Sequence, residues 1–360
     1  MKKIFLSLLL SLAFTQLFAD SLDIKIGQMI MAGMNGHSVN QQSGILQDVK
    51  RGIVGGILLF ERNLNPASAK KSLQNLTTNL QNAATIPLII SIDQEGGQVN
   101  RLKTKYGFPV MPSAKSVGDR NIDSYTTEIA GRIAQSLLSC GINLNYAPVL
   151  DLHDVRCPVL GKRSRCFSAN PEIVAHLAGL YIETHRNQGV RTVVKHFPGH
   201  GSSRTDSHLG LTDVSKYWTK KELKPYEMLI QEGVVDMVMT AHVVNRQLDQ
   251  SGLPATLSKT ILQDVLRKQL GFQGVIVSDD MQMHAISSNY GFEESIKMAI
   301  LAGVDILMFS NNISQSNNYS PGKIHSTIRQ MVKQGLISEK RIDESYRRII
   351  AFKQKLTGSR

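Results

Sequence analysis

Eight short apolar runs, separated by longer amphipathic stretches, restrict the fold more than any other feature of this chain. They are IGQMIMAG (26–33), VGGILLF (54–60), PLIISID (87–93), LNYAPVLDL (144–152), TVVKHF (192–197), VDMVMTAHV (235–243), GVIVSDD (274–280) and VDILMFS (304–310). A strand covered on both faces reads as a continuous apolar run, whereas a strand with one wet face alternates. The intervening segments carry helical periodicity, and several end in a glycine just before the next run, at Gly141, Gly189, Gly271 and Gly303. The closing stretch SEKRIDESYRRIIAFKQKL is expected as a helix with Ser338 as its N-cap. Eight buried strands alternating with helices predict an α/β fold, a single-domain (β/α)8 TIM barrel. An open doubly wound sheet is the competing arrangement, but no G-x-G-x-x-G follows an early strand.

The first residues stand apart from this pattern. Lys2 and Lys3 precede an apolar run from Ile4 to Phe14, and Leu17-Phe18-Ala19 ends in a small residue. Residues 1–19 are therefore expected to be a secretory signal peptide, leaving 20–360 as the barrel domain and an exported, periplasmic or secreted, location. No later run reaches the length of a membrane span, so stable membrane insertion is not expected after cleavage. The formal charge of +12 becomes +10 without Lys2 and Lys3. The basic residues are scattered, which favours a solvated basic face over a nucleic-acid groove. Cys140, Cys157 and Cys166 are an odd set for an oxidising compartment; a Cys157–Cys166 disulfide is open on sequence grounds.

In barrels the C-terminal ends of the strands face the active site. Here those ends carry Asp93, Asp151, Lys195 with His196, His242, Asp279 with Asp280, and Ser310 with Asn311. Apolar strands have no packing reason to end repeatedly in charge, so a polar site at one mouth is expected. Two adjacent carboxylates after a strand point opposite ways, so one of Asp279 and Asp280 faces the axis while the other braces it. Asp151 is expected to brace Lys195 or Arg165, because buried charges need partners. The segment VVKHFPGHGSSRTDSHLGL (193–211) becomes a loop rich in Gly, Ser and His, read as a movable lid. Within it Asp206 can fix the tautomer of His208, freeing the other ring nitrogen for proton transfer; a solvent-facing histidine beside an Asx-turn is the alternative. His200 could shape this loop, and His242 could line the pocket or sit satisfied in the core.

Together DQEGGQVNRL, KHFPGHG followed by DSH, and SDDM after an apolar strand resemble the family 3 glycoside hydrolases, in their β-N-acetylhexosaminidase branch. The resemblance runs from about Ile24 to the RRIIAFKQKL end. It implies a retaining exo-β-N-acetylglucosaminidase acting on GlcNAc-containing cell-wall fragments of peptidoglycan turnover, without metal or organic cofactor. It implies Asp279 as nucleophile, His208 as acid and then base, and Asp206 as its orienting partner. It also implies a GlcNAc pocket made by Asp93, Arg101, Arg165, Lys195 and His196. The arginine is drawn from GKRSRCFSANP, longer than the family pattern, where Arg163 competes; Arg165 keeps the spacing to the following helix. A histidine acid carries no negative charge, which suits an anionic acceptor or substrate and leaves a phosphorylase open as the alternative. Two further alternatives are a metal-dependent barrel hydrolase using His196, His200, His208, His242 and Asp279, and a catalytically silent sugar-binding protein. Oligomeric state is not legible from the sequence.

Overall fold

The computed structural model describes residues 21–206, 210–312 and 319–357. The proposed signal peptide and His208 therefore lie outside the described residues. The apolar runs form parallel strands β1 (Ile30–Gly33), β2 (Gly56–Leu59), β3 (Ile89–Ile92), β4 (Leu144–Asn145), β5 (Arg191–Thr192), β6 (Val194–Phe197), β8 (Met237–Thr240), β10 (Val275–Asp280) and β11 (Ile306–Phe309). The short β7 (Thr212–Asp213) and β9 (Val243–Val244) pair separately. The main sheet runs β5-β4-β3-β2-β1-β11-β10-β8-β6. Its two ends are one strand: β5 pairs with β4, and β6, one residue further along, pairs with β8. The strand interrupted at Val193 closes the ring, which yields the eight-stranded barrel expected from the sequence.

Every residue of β1, β2, β3, β6, β8 and β11 is buried, as strands covered on both faces require. The amphipathic stretches form helices Ala69–Ala83, Asp123–Leu138, Pro171–Asn187, Lys224–Gln231 and Phe292–Ala302, whose apolar faces pack on the sheet. Gly141, Gly189, Gly271 and Gly303 all take positive φ where their helices stop. Three details depart from the expected pattern. Residues Leu22–Gln28 are helical, so the first run is a strand only from Ile30. The fourth strand keeps only two ladder residues before an isolated bridge between Val149 and Lys195. The segment Thr260–Gln269 winds as a π-helix.

The last helix, Glu339–Thr357, lies against the helix Leu22–Gln28 and the barrel floor. Ser338 caps it, accepting from Arg341 N at 3.2 Å. Lys353 lies inside this contact, 2% exposed, donating to Gln28 Oε1 at 2.6 Å and to the Gly55 carbonyl at 2.8 Å. Both acceptors are neutral, and burial brings the amine down to about 7. A folded pKa below the unfolded value means the unfolded chain binds more protons between pH 7 and 10.5. Lys353 therefore makes stability rise with pH across that window, by up to about 1.4 kcal/mol per pH unit. Urea unfolding of Lys353→Met across pH 7–10 is expected to lose this slope; an unchanged slope overturns the assignment.

Candidate active site

The strand C-terminal ends open into a cavity of about 400 Å³. Asp93, Arg101, Arg163, Arg165, Lys195, His196, His200, Asp279 and Asp280 line it, above an apolar floor that includes Leu58, Met239 and Met308. The strand-end reading thus gathers most of the expected residues at one mouth. Of the strand-end residues, Asp151, His242 and Asn311 do not line it. His242 is fully buried between Thr256 Oγ1 at 2.7 Å and the Asp280 carbonyl at 2.9 Å, as a satisfied core residue.

A buried ion lattice forms one wall. Lys195 Nζ, 2% exposed, lies 2.7 Å from Asp93 Oδ1 and 2.7 Å from Glu95 Oε1. Arg165 grips Glu95 bidentately, at 2.7 and 2.8 Å. Burial disfavours charge on Lys195, but Asp93 and Glu95 outweigh it and hold its pKa above the usual lysine value. Burial also opposes charge on Glu95, yet Arg165 and Lys195 keep its carboxyl well below the usual carboxylate range. Glu95 is the hub of this wall, and the residue-by-residue reading gave it no role, although it sits in the DQEGG stretch. Arg101 NH2 stands 4.0 Å from Asp93 Oδ2, and its buried Nε has no hydrogen-bond partner among the described residues.

Asp151 corrects an expectation. It braces neither Lys195 nor Arg165; its carboxylate accepts from His196 Nδ1 at 2.6 Å, His196 N at 3.2 Å and His200 N at 2.7 Å. The cause is the barrel order: the end of the fourth strand lies beside β6, and the His196 and His200 amides are the donors within reach. His196 turns its Nε2 toward Arg165 NH2, 3.4 Å away. Burial, reinforced by His196, lowers His200 to about 4, which keeps it neutral at pH 7.

Asp279 and Asp280 divide their work as the strand geometry requires. Asp280 binds the β11 end through Ser310 Oγ and Ser310 N, and accepts from Gln282 N at 3.1 Å. Burial raises its pKa, with the Asp279 charge adding to the effect. Asp279 Oδ1 accepts from Asp280 N at 2.8 Å and borders the cavity.

The loop expected as a lid is tethered through its first half. Residues 198–203 are buried, Trp218 Nε1 donates to the Pro198 carbonyl at 3.0 Å, and Glu222 accepts from Gly201 N at 3.1 Å. Asp206 lies further along, its Oδ2 3.9 Å from Arg163 NH2. Both arginines of GKRSRCFSANP therefore reach the cavity, Arg165 within the buried wall and Arg163 half exposed near Asp206. The Cys157–Cys166 bridge is not formed: both are buried free thiols in a cluster with Val149, Val159 and Leu160. Cys157 Sγ faces Ser203 Oγ at 3.1 Å instead. No described helix is long and apolar enough to cross a membrane.

Residues 21–352 match the model of the glycosyl hydrolase family 3 N-terminal domain. A protein named beta-hexosaminidase from Tolumonas auensis is 39% identical over 263 residues, covering 72% of this chain and 76% of the relative. A solved family 3 β-N-acetylglucosaminidase from Paenibacillus superimposes with a TM-score of 0.83 at 36% identity. That match covers 94% of this chain and 63% of the neighbour. A β-N-acetylhexosaminidase from Beutenbergia cavernae matches with a TM-score of 0.82 at 28% identity, covering 93% of this chain and 99% of the neighbour. A closed barrel with a carboxylate-bearing mouth and a family match across nearly its whole length have one reading: this chain belongs to glycosyl hydrolase family 3.

Proposed function

We propose that this glycoside hydrolase removes terminal β-linked N-acetylglucosamine from cell-wall-derived glycans by a retaining, two-step reaction in an exported location. The single observation that carries the reading is the cavity where Asp279, at the end of β10, shares the space with the Asp93–Lys195–Glu95–Arg165 wall. A saturated sugar offers hydroxyls in several directions. A wall of fixed charges with donors already oriented binds them without reorganisation. Arg101, which also lines the cavity, adds guanidinium donors. The relatives named for hexosamine substrates favour GlcNAc among sugars.

In the first step an Asp279 carboxylate oxygen attacks the anomeric carbon as the glycosidic C–O bond breaks. His208, as imidazolium, gives its proton to the departing oxygen. In the second step water attacks the same carbon, yields its proton to the now neutral imidazole, and releases Asp279. Asp206, two residues before His208, is the partner proposed to set its tautomer, with Arg163 nearby to offset the extra charge. The two protein groups differ from the usual pair of carboxylates, and each performs a role its chemistry allows.

His208→Ala tests the acid role. Turnover of a GlcNAc disaccharide, whose leaving group needs a proton, is expected to fall roughly 10²- to 10⁴-fold. Glycosylation by a p-nitrophenyl glycoside, followed as burst-phase phenolate release, is expected to change far less. Equal losses on both substrates overturn the acid assignment.

A further inference from the structure

The segment from Pro198 to Asp206 leaves β6 and leads directly into the proposed acid/base pair. It is held by groups from opposite sides. From the barrel side Asp151 Oδ1 takes the His200 amide at 2.7 Å. From the outer side come Trp218 and Glu222, which the chain reaches after returning from the loop. Glu222 is 4% exposed and does not line the cavity. Its Oε2 accepts from Gly201 N at 3.1 Å. A Cβ built on Gly199 would stand 2.5 Å from Glu222 Oε2 and 2.6 Å from Glu222 Cβ, so the glycine backbone rests directly on this side chain. Gly199 also has a φ of 112°, a conformation open to glycine and strained for other residues. The fit of the loop to Glu222 is thus close at two backbone positions, Gly199 and Gly201.

We propose that Glu222 is a positioning residue for the acid/base loop, fixing through Gly199 and Gly201 the stretch of backbone that leads into it. This rests on the reading of His208 as the acid. A filler of this space would need no carboxyl; an apolar side chain of similar volume would occupy it, but would leave the Gly201 amide buried and unbonded. The groups facing Glu222 are Asp151 across the loop, Tyr226 one helical turn on, and Ser202. Burial, helped by Asp151, pushes its carboxyl up to about 8, so it is neutral at pH 7. A neutral acid is matched in shape and charge by an amide, which makes glutamine the faithful replacement and alanine or aspartate the disruptive ones.

The experiment compares Glu222→Ala, Glu222→Asp and Glu222→Gln with His208→Ala in the full chain. Each is assayed on a GlcNAc disaccharide and, by burst-phase phenolate release, on p-nitrophenyl GlcNAc, with circular dichroism to confirm folding. For Glu222→Ala, kcat on the disaccharide is expected to fall roughly 10- to 100-fold, the range of an acid displaced by a fraction of its reach. The burst on the aryl glycoside should change less than about threefold, KM should hold on both, and Glu222→Gln should retain wild-type values. Glu222→Asp keeps the acid but withdraws it from Gly201, and should lie between; it carries the test if the alanine variant does not fold. Equal losses on both substrates, a loss confined to KM, or failure of glutamine to restore activity overturns the proposal while leaving His208 in place. If His208→Ala itself shows no dependence on the leaving group, the parent reading fails and this proposal falls with it.

Discussion

Replacing Asp279 with alanine lowers kcat by roughly 10⁴-fold or more on every β-GlcNAc substrate, while the thermal midpoint stays within about 2 °C. The two halves of that result have separate causes. Without the carboxylate there is no covalent intermediate, so a good leaving group cannot rescue the reaction as it does for a missing acid. The fold is spared because Asp279 borders the open cavity at the end of β10 and is only partly buried, outside the apolar core. Its removal also relieves Asp280, whose pKa is raised by burial and further by the adjacent charge. Asp280→Ala is the contrasting variant. It strips Ser310 N, Ser310 Oγ and Gln282 N of their acceptor and loosens the β10–β11 mouth, so it should lose stability as well as activity. Azide restores product release to Asp279→Ala as the α-linked glycosyl azide, because the small nucleophile attacks from the face the carboxylate vacated. In the wild type a fluorinated GlcNAc inactivator should label the peptide carrying Asp279. A label on Asp280, or a β-linked azide product, overturns the assignment.

Most of the barrel was legible because its signals are local. A strand buried on both faces declares itself by a continuous apolar run, and a helix stop declares itself by a glycine able to take positive φ, as at Gly141 and Gly303. Where two local signals overlap, the boundary was lost: Ile26 to Gln28 are as buried in a helix as they would be in a strand. The site divided along the same line. Asp93, Lys195 and Asp279 could be placed because each lies at or near the C-terminal end of an apolar run. Glu95 and the partners of Asp151 could not, because an ion pair across 70 or 100 residues leaves no trace in spacing. The two histidines claimed Asp151 because the closing strand β6 runs beside the fourth, a consequence of ring closure that no single segment reveals. The loop after Phe197 misled for a related reason. Its glycines suggested freedom, and in the folded chain they provide room for Glu222 and for close backbone packing.

Glu95→Gln removes the hub of the buried wall, and its effect should appear in both stability and binding. The amide keeps the shape but not the charge that Lys195 and Arg165 share, leaving Asp93 to face two cations. Breaking a buried pair from one side costs about 3–5 kcal/mol, because the remaining charge is stranded away from water. The same cations line the cavity proposed to hold the sugar, so kcat/KM should fall roughly 10²-fold as the donors shift. The pH dependence distinguishes this cause from simple misfolding. A carboxyl held well below its unfolded value of 4.5 stabilises the fold above that pH and loses its contribution as pH falls toward the folded pKa. Wild type and Glu95→Gln should therefore differ most in urea midpoint at pH 7 and draw together as the medium is acidified below about pH 4. A constant difference across that range would mean the charge of Glu95 contributes nothing, and the wall would then be held by packing alone. A restored midpoint in the double variant Glu95→Gln, Arg165→Gln would identify the stranded arginine as the source of the loss, since removing the second partner removes the uncompensated charge.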